Sequence, residues 1–254
     1  MTNIKVAAWD IVGGLFWEQG RKSAKPSIKE LEEFTNGIKR GDRVAVIGAS
    51  TKELVERLIR METKVTVYDF SRVMCDALRE ALTPNLPNIE VLDITVPLED
   101  ALLGSFDFVL NDRLINRFTS EEAEEALTNM VLLAKDGEVR TSIKLGSYPM
   151  DERMISLGKE RGNLDDFYDS KTKTINFALA GDVLKDALLP HGDIDTEILL
   201  QWYQKRGVET RYSDADFQAL VNGLSIGNGA QVTITNQTDF PDAKQTIMYT
   251  LKIE

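Results

Sequence analysis

Apolar positions recur along this chain in two rhythms. Between Arg43 and Gly146, short runs rich in β-branched residues alternate with segments whose apolar residues repeat every three to four positions. The runs are RVAVIG (Arg43 to Gly48), KVTVYDF (Lys64 to Phe70), NIEVLDI (Asn88 to Ile94), FDFVLND (Phe106 to Asp112) and GEVRTSIKLG (Gly137 to Gly146). Helices are expected up to about Met61, over Ser71 to Leu82, near Leu98 to Leu103, and from Thr119 to Ala134. Strands separated by helices in this way predict parallel pairing through right-handed crossovers. Ser50 with Glu53, and Thr119 with Glu122, fit the Ser/Thr-x-x-Glu pattern of a helix start. Glu53 with Arg57 and Glu56 with Arg60 are spaced for solvent-side pairs.

After Gly146 the rhythm breaks. Residues 147 to about 207 read as a mainly helical insertion, with a turn at LLPHGDID, and a further helix is expected over Ser213 to Leu224. AQVTITNQ and KQTIMYTLKI then alternate apolar and polar positions around TDFPDA, which predicts an antiparallel hairpin over about 229–254. The expected organisation is an N-terminal helical cap (1–40) and one α/β domain (41–254) carrying the insertion and the hairpin.

Composition narrows the function. The 254 residues are ample for one large core, and 43% hydrophobic with 28% charged residues is ordinary for a soluble globular chain. A formal charge of -11 disfavours nucleic-acid partners. No apolar run approaches the roughly 20 residues that span a bilayer, and MTNIKVAAWDIVGGLFWEQG is too interrupted by Asp10, Gly13, Gly14 and Glu18 for a signal peptide. A cytoplasmic protein is expected. With one cysteine and one histidine, neither a disulfide nor a dedicated zinc site is expected, and Cys75 reads as a buried structural thiol.

The chemistry is concentrated where the first strand turns into a helix. Gly48 allows a tight turn and close ligand approach, and Asp69 ends the second strand, where a carboxylate can accept both hydroxyls of a ribose. A dinucleotide needs Gly-x-Gly-x-x-Gly, but Gly48, Ser50 and Glu53 keep one glycine of three, and Glu53 would oppose a pyrophosphate. S-adenosylmethionine (SAM) has no phosphate and tolerates such a loop.

Over residues 40 to 146 the chain resembles the class I SAM-dependent methyltransferases. RVAVIGASTKELVERLI resembles the family's first motif. VTVYDFSRVMCDALREAL is similar to the second, with Asp69, Ser71 and Met74 matching, and VLDITVPLEDALLGSFDFVLND resembles the third and fourth. Val46 stands where the family has an acid, and Ser50 and Lys52 where it has glycines. The resemblance implies a doubly wound, mostly parallel seven-stranded sheet of Rossmann-like methyltransferase type. It also implies SAM as cofactor, held by Gly48, Ala49, Ser50, Asp69, Phe70, Met74, Asp93, Ile94 and Asn111.

Asp112 is the first candidate for a general base or for orienting a nucleophile, and it also fits a loop cap. His191, in LPHGD, suits proton removal, or else an exposed turn. Trp17, Arg113, Tyr148 and Tyr168 are candidates for contact with a small organic substrate, the last two as part of an aromatic lid. The same insertion serves equally well as a packing or dimerisation element, so a homodimer is admitted. The leading expectation is methyl transfer to oxygen or nitrogen of a small molecule. The alternatives are a non-methylating SAM enzyme (an aminocarboxypropyl transferase or a SAM cyclase) and a catalytically silent binding subunit.

Overall fold

In a computed structural model of the chain, residues 5–20, 25–134, 136–227 and 230–253 are described. Strands β1 (Arg43–Ile47), β2 (Lys64–Asp69), β3 (Asn88–Val91), β4 (Phe108–Asp112) and β5 (Glu138–Lys144) pair in parallel. Late in the chain, β9 (Val232–Asp239) and β10 (Thr246–Ile253) form the hairpin, and β10 adds antiparallel to β5. The order β3-β2-β1-β4-β5-β10-β9 is a doubly wound sheet with its topological switch between β1 and β4.

From Val44 to Ile47 β1 is apolar because both its faces are covered. Val44 and Val46 pack beneath Leu54 and Leu58 of α4 (Lys52–Arg60) and Leu78 of α5 (Arg72–Leu82). Ala45 and Ile47 face the other layer, with Leu127 and Met130 of α6 (Ser120–Ala134) and Phe217 of a late helix over Asp214–Asn222. Each such aliphatic or aromatic side chain contributes about 1.5–3 kcal/mol by leaving water. Cys75 lies in the first of these layers, and burial raises its thiol to about 11, as expected of a structural residue.

Helix starts divide in an instructive way. Thr119 and Glu122 form the reciprocal pair expected of them, each accepting a backbone N–H. Ser50 and Glu53 do not: Thr51 is the residue before α4, and no side chain caps it. Glu53 instead pairs with Lys25 at 2.9 Å, while Arg57 donates to Thr35 Oγ1 and Lys52 lies 3.8 Å from Glu56. The cap outcompetes the local pattern for these side chains.

That cap comprises α1 (Val6–Val12), α2 (Leu15–Glu18) and α3 (Ile28–Phe34), the last opened by a Ser27–Glu30 capping box. The insertion holds α7 (Pro149–Arg161), α8 (Gly181–Ala187) and α9 (Thr196–Arg206) around its own core of Met154, Phe167, Phe177 and Leu184. It is less helical than its sequence suggests. Strands β6 (Tyr168–Asp169), β7 (Thr174–Asn176) and β8 (Val208–Thr210) form a small antiparallel sheet, too short to leave a periodic signature. Among the described residues, no helix is long and apolar enough to cross a membrane.

Candidate functional site

The turn after β1 runs through Gly48 at φ 101°, a left-handed conformation that a side chain would strain. Its amide donates to Tyr68 O at 2.8 Å, which ties the turn to β2. Asp69 completes the junction: Oδ2 accepts from Ala49 N at 2.7 Å and Oδ1 from Ser71 N at 2.8 Å. Each oxygen keeps a second acceptor position. Burial pushes this carboxyl up to about 6, and the nearby Asp10 charge adds to the rise against the two amide bonds.

The cap covers this junction. Trp17 Nε1 donates to Ser50 O at 3.0 Å, and Ser71 Oγ donates to Asp10 Oδ1 at 2.6 Å. Met74 is fully buried at the start of α5, and Phe70 is half-buried beside it. Asp93 closes a turn after β3, accepting from Thr95 N and Oγ1, so β3 ends at Val91. Ile94 is buried, and its carbonyl accepts from Asn129 Nδ2 at 2.8 Å. Asn111 points into the α6 layer, where its amide meets Met130 Sδ and Thr141 Oγ1. These residues gather at the carboxyl ends of β1 to β4, but none of them lines the main cavity.

That cavity, of about 600 Å³, lies over the ends of β4 and β5 and the start of β10, between the cap, α7, α9 and the hairpin loop. Arg113, Tyr148 and His191, singled out from sequence, line it; Trp17 and Tyr168 do not. His191 is half-buried, stacked at 5.9 Å on Phe16 and 5.8 Å from the Trp202 ring. Its turn is pinned to α2: Asp193 N donates to Gln19 O at 2.7 Å, and a Cβ on Gly192 would lie 1.8 Å from that same carbonyl oxygen.

Asp112 sits behind the wall rather than on it. Its carboxylate accepts from Ser142 Oγ and from Arg113 Nη1 at 2.9 and 3.0 Å. Arg113 adopts φ 51°, a left-handed conformation uncommon for a side-chain-bearing residue, and also pairs with Glu30. Burial raises the Glu30 carboxyl, Arg113 draws it back, and the Asp112 charge raises it further.

A second ion network backs the far wall. Arg206 donates to Glu209 twice, at 2.7 Å each, with Phe177, Trp202 and Tyr203 rings packed 4.6–4.9 Å from its guanidinium. Arg211 clasps Asp151 at 2.6 and 3.1 Å and reaches Glu209 at 3.0 Å. Burial alone would raise the Glu209 carboxyl, but Arg206, Arg117 and Arg211 hold it far below the usual carboxylate range. Burial likewise lowers the Lys144 ammonium, more than Glu152 and Asp151 restore. Arg117, Lys144, Asp151, Arg206, Glu209 and Arg211 escape sequence reasoning because the partners that bury their charges lie far apart in the chain, as Arg117 and Glu209 or Asp151 and Arg211 do. The one usable signal is Glu209 and Arg211 two apart on an extended segment, which places both on one face.

No family model and no curated protein matches the chain. Solved structures do. A Rhodobacter sphaeroides protein provisionally named a Zn-dependent alcohol dehydrogenase is 46% identical over 100% of both chains, with a TM-score of 0.97. The CcbJ methyltransferase from Streptomyces caelestis is 12% identical over 98% of both chains, with a TM-score of 0.63. Magnesium protoporphyrin IX methyltransferase from Synechocystis, solved with S-adenosylhomocysteine, is 15% identical over 96% of this chain and 85% of that one, with a TM-score of 0.50. Among the described residues no three His, Cys, Asp or Glu side chains are grouped to hold a metal, and the single cysteine is buried in the core.

Proposed function

We propose that this chain, whose sheet has the fold of the class I SAM-dependent methyltransferases, methylates an oxygen or nitrogen of a small-molecule acceptor. The observation carrying this reading is the Gly48 turn joined to the Asp69 carboxylate at the β1–β4 switch point, beside a cavity of about 600 Å³. The residues fit SAM: the unused acceptor positions of Asp69 suit two ribose hydroxyls. In this reading Phe70, Asp93 and Ile94 are the residues assigned to the adenine, and the Gly48 turn at φ 101° leaves room for the ligand. When bound, SAM supplies a methyl group on a positively charged sulfur. On this reading the chain's own contribution is placement: an acceptor in the cavity over the ends of β4 and β5 is held on the carboxyl side of the sheet, and alignment supplies much of the rate. On this reading His191, on the cavity wall, takes the acceptor's proton, and Asp112, bonded to Arg113, is assigned as a positioning residue.

Calorimetry with SAM and S-adenosylhomocysteine tests the reading; no heat with either ends it. Asp69→Asn keeps an acceptor for one amide and should weaken binding by about 1–3 kcal/mol, and unchanged affinity would show that Asp69 does not hold the ribose. A second reading, a catalytically silent binding subunit, draws on the cap's bonds to Ser50 and Ser71. It predicts partner binding without turnover.

A further inference from the structure

We infer that the acceptor held in the cavity is an anion, a small and partly aromatic molecule whose carboxylate or phosphate lies between Arg117 and Lys144. The inference rests on the methyl-transfer reading for the word acceptor, but its observations concern the cavity alone. The chain carries -11 overall, yet among the described residues seven Lys and Arg side chains line the cavity against three carboxylates. Pairing removes Glu30 and Asp151 on one side and Lys25, Arg113, Arg206 and Arg211 on the other, which leaves Arg117, Lys144 and Lys244 facing Asp242. The wall that faces a ligand is therefore cationic within an acidic molecule.

Arg117 has donors to offer. Its side chain meets one carboxylate among the described residues, Glu209 at 3.5 Å, which is beyond a normal N–H···O distance. Its Nε and Nη2 groups make no hydrogen bond to the described residues. Lys144 Nζ is held by neutral oxygens, those of Leu145 at 2.8 Å, Gln245 at 2.7 Å and Ser147 at 3.5 Å, with no carboxylate in ion-pair range among the described residues. Between these cations stands Tyr148, whose ring centre is 5.2 Å from the Arg117 guanidinium and 5.8 Å from Lys144 Nζ. The Tyr148 hydroxyl is buried and has no partner among the described residues. A buried donor without a partner is unfavourable, and an oxyanion arriving here would satisfy it together with the free edge of Arg117.

Arginine's planar fork suits carboxylate and phosphate alike. Phe16, Leu189, Trp202 and Tyr203 supply the apolar remainder of the wall, and the volume suits a small organic molecule. A neutral analogue would leave the polar groups unpaired, which is how such sites discriminate strongly.

The test is calorimetry of the full chain with benzoate, phenyl phosphate and benzamide. Benzoate or phenyl phosphate should bind at least about tenfold more tightly than benzamide, and the stronger of the two names the group. Arg117→Gln and Lys144→Met should each weaken the anion about tenfold while leaving benzamide unchanged. Tyr148→Phe, which keeps the ring, should weaken it severalfold with an unchanged circular dichroism spectrum. Equal binding of benzamide, no anion binding at millimolar concentration, or an indifferent Arg117→Gln variant would overturn the inference. S-adenosylhomocysteine is titrated alongside. Its binding without anion binding sinks this inference alone, whereas anion selection without it sinks methyl transfer and keeps the anion site.

Discussion

Replacing Glu209 by Gln removes one negative charge from a place where three arginines converge. Glu209 is fully buried and takes two bonds from Arg206 at 2.7 Å each, with Arg211 at 3.0 Å and Arg117 at 3.5 Å. Arg211 retains Asp151 in the variant, but Arg206 retains no carboxylate and keeps only the three aromatic rings around it. The loss therefore falls on one buried guanidinium, at about 3–5 kcal/mol for an ion left unpaired. Set against a total stability of roughly 5–15 kcal/mol, that is a large fraction. Urea unfolding at pH 7 should show the midpoint falling by about 1–2 M. The double variant Glu209→Leu with Arg206→Leu should recover most of this, because well-packed apolar groups replace a buried pair at little cost. The carboxyl is held low in the fold, so its stabilisation is complete above the ordinary value of 4.5 and fades as pH falls below it. The gap between wild type and variant should narrow in acid. A Glu209→Gln variant within about 1 kcal/mol of wild type at pH 7, or a double variant no better than the single, would refute the reasoning.

Asp69 titrates in the opposite sense. Its carboxyl is raised from 3.8 to about 6, so the stability it contributes is complete below 3.8 and lost as pH climbs through 6. That loss is on the order of 3 kcal/mol. Carbon-13 NMR of the Asp carboxyls should show one midpoint near 6 that disappears in Asp69→Asn; a midpoint near 4 would contradict the assigned burial. Cys75, buried with its thiol at about 11, should react with iodoacetamide only as fast as the protein unfolds. Prompt labelling of the native protein would place the thiol at the surface.

The centre of the sheet was legible because β1 is covered on both faces and therefore apolar from Val44 to Ile47. The hairpin was legible from its sequence pattern rather than its burial: β9 opens with Val-Thr-Ile-Thr in alternation, yet only Val232 is buried and Thr235 to Gln237 are exposed in succession. Local signals failed wherever distant chain supplied a stronger partner. Glu53 fits a capping box by spacing, yet Lys25 of the cap claims it. Three-residue strands such as β7 and β8 carry too few positions for any period. Buried charges escaped most completely. Arg206, Glu209 and Arg211 satisfy one another, and pattern reading places charge in water unless it can see the partners. Of the residues expected at a substrate, Arg113, Tyr148 and His191 came together in the cavity because they follow β4, follow β5 and stand on the turn before α9.

The clasp of the cap on the β1–α4 turn makes the N-terminus an internal competitor. Trp17 on Ser50 and Asp10 on Ser71 occupy groups that border any ligand of that turn. Two such bonds, one to a carboxylate, favour closure by about 1–3 kcal/mol. Ala8, Val12, Phe16 and Trp17 of the cap are buried in the core as well, so packing adds to this preference, and the apparent dissociation constant exceeds the intrinsic one by the inverse of the open fraction. An affinity measured at this site reports the equilibrium of the cap as much as the contacts beneath it, and loosening Trp17 would strengthen binding without adding a single contact to the ligand.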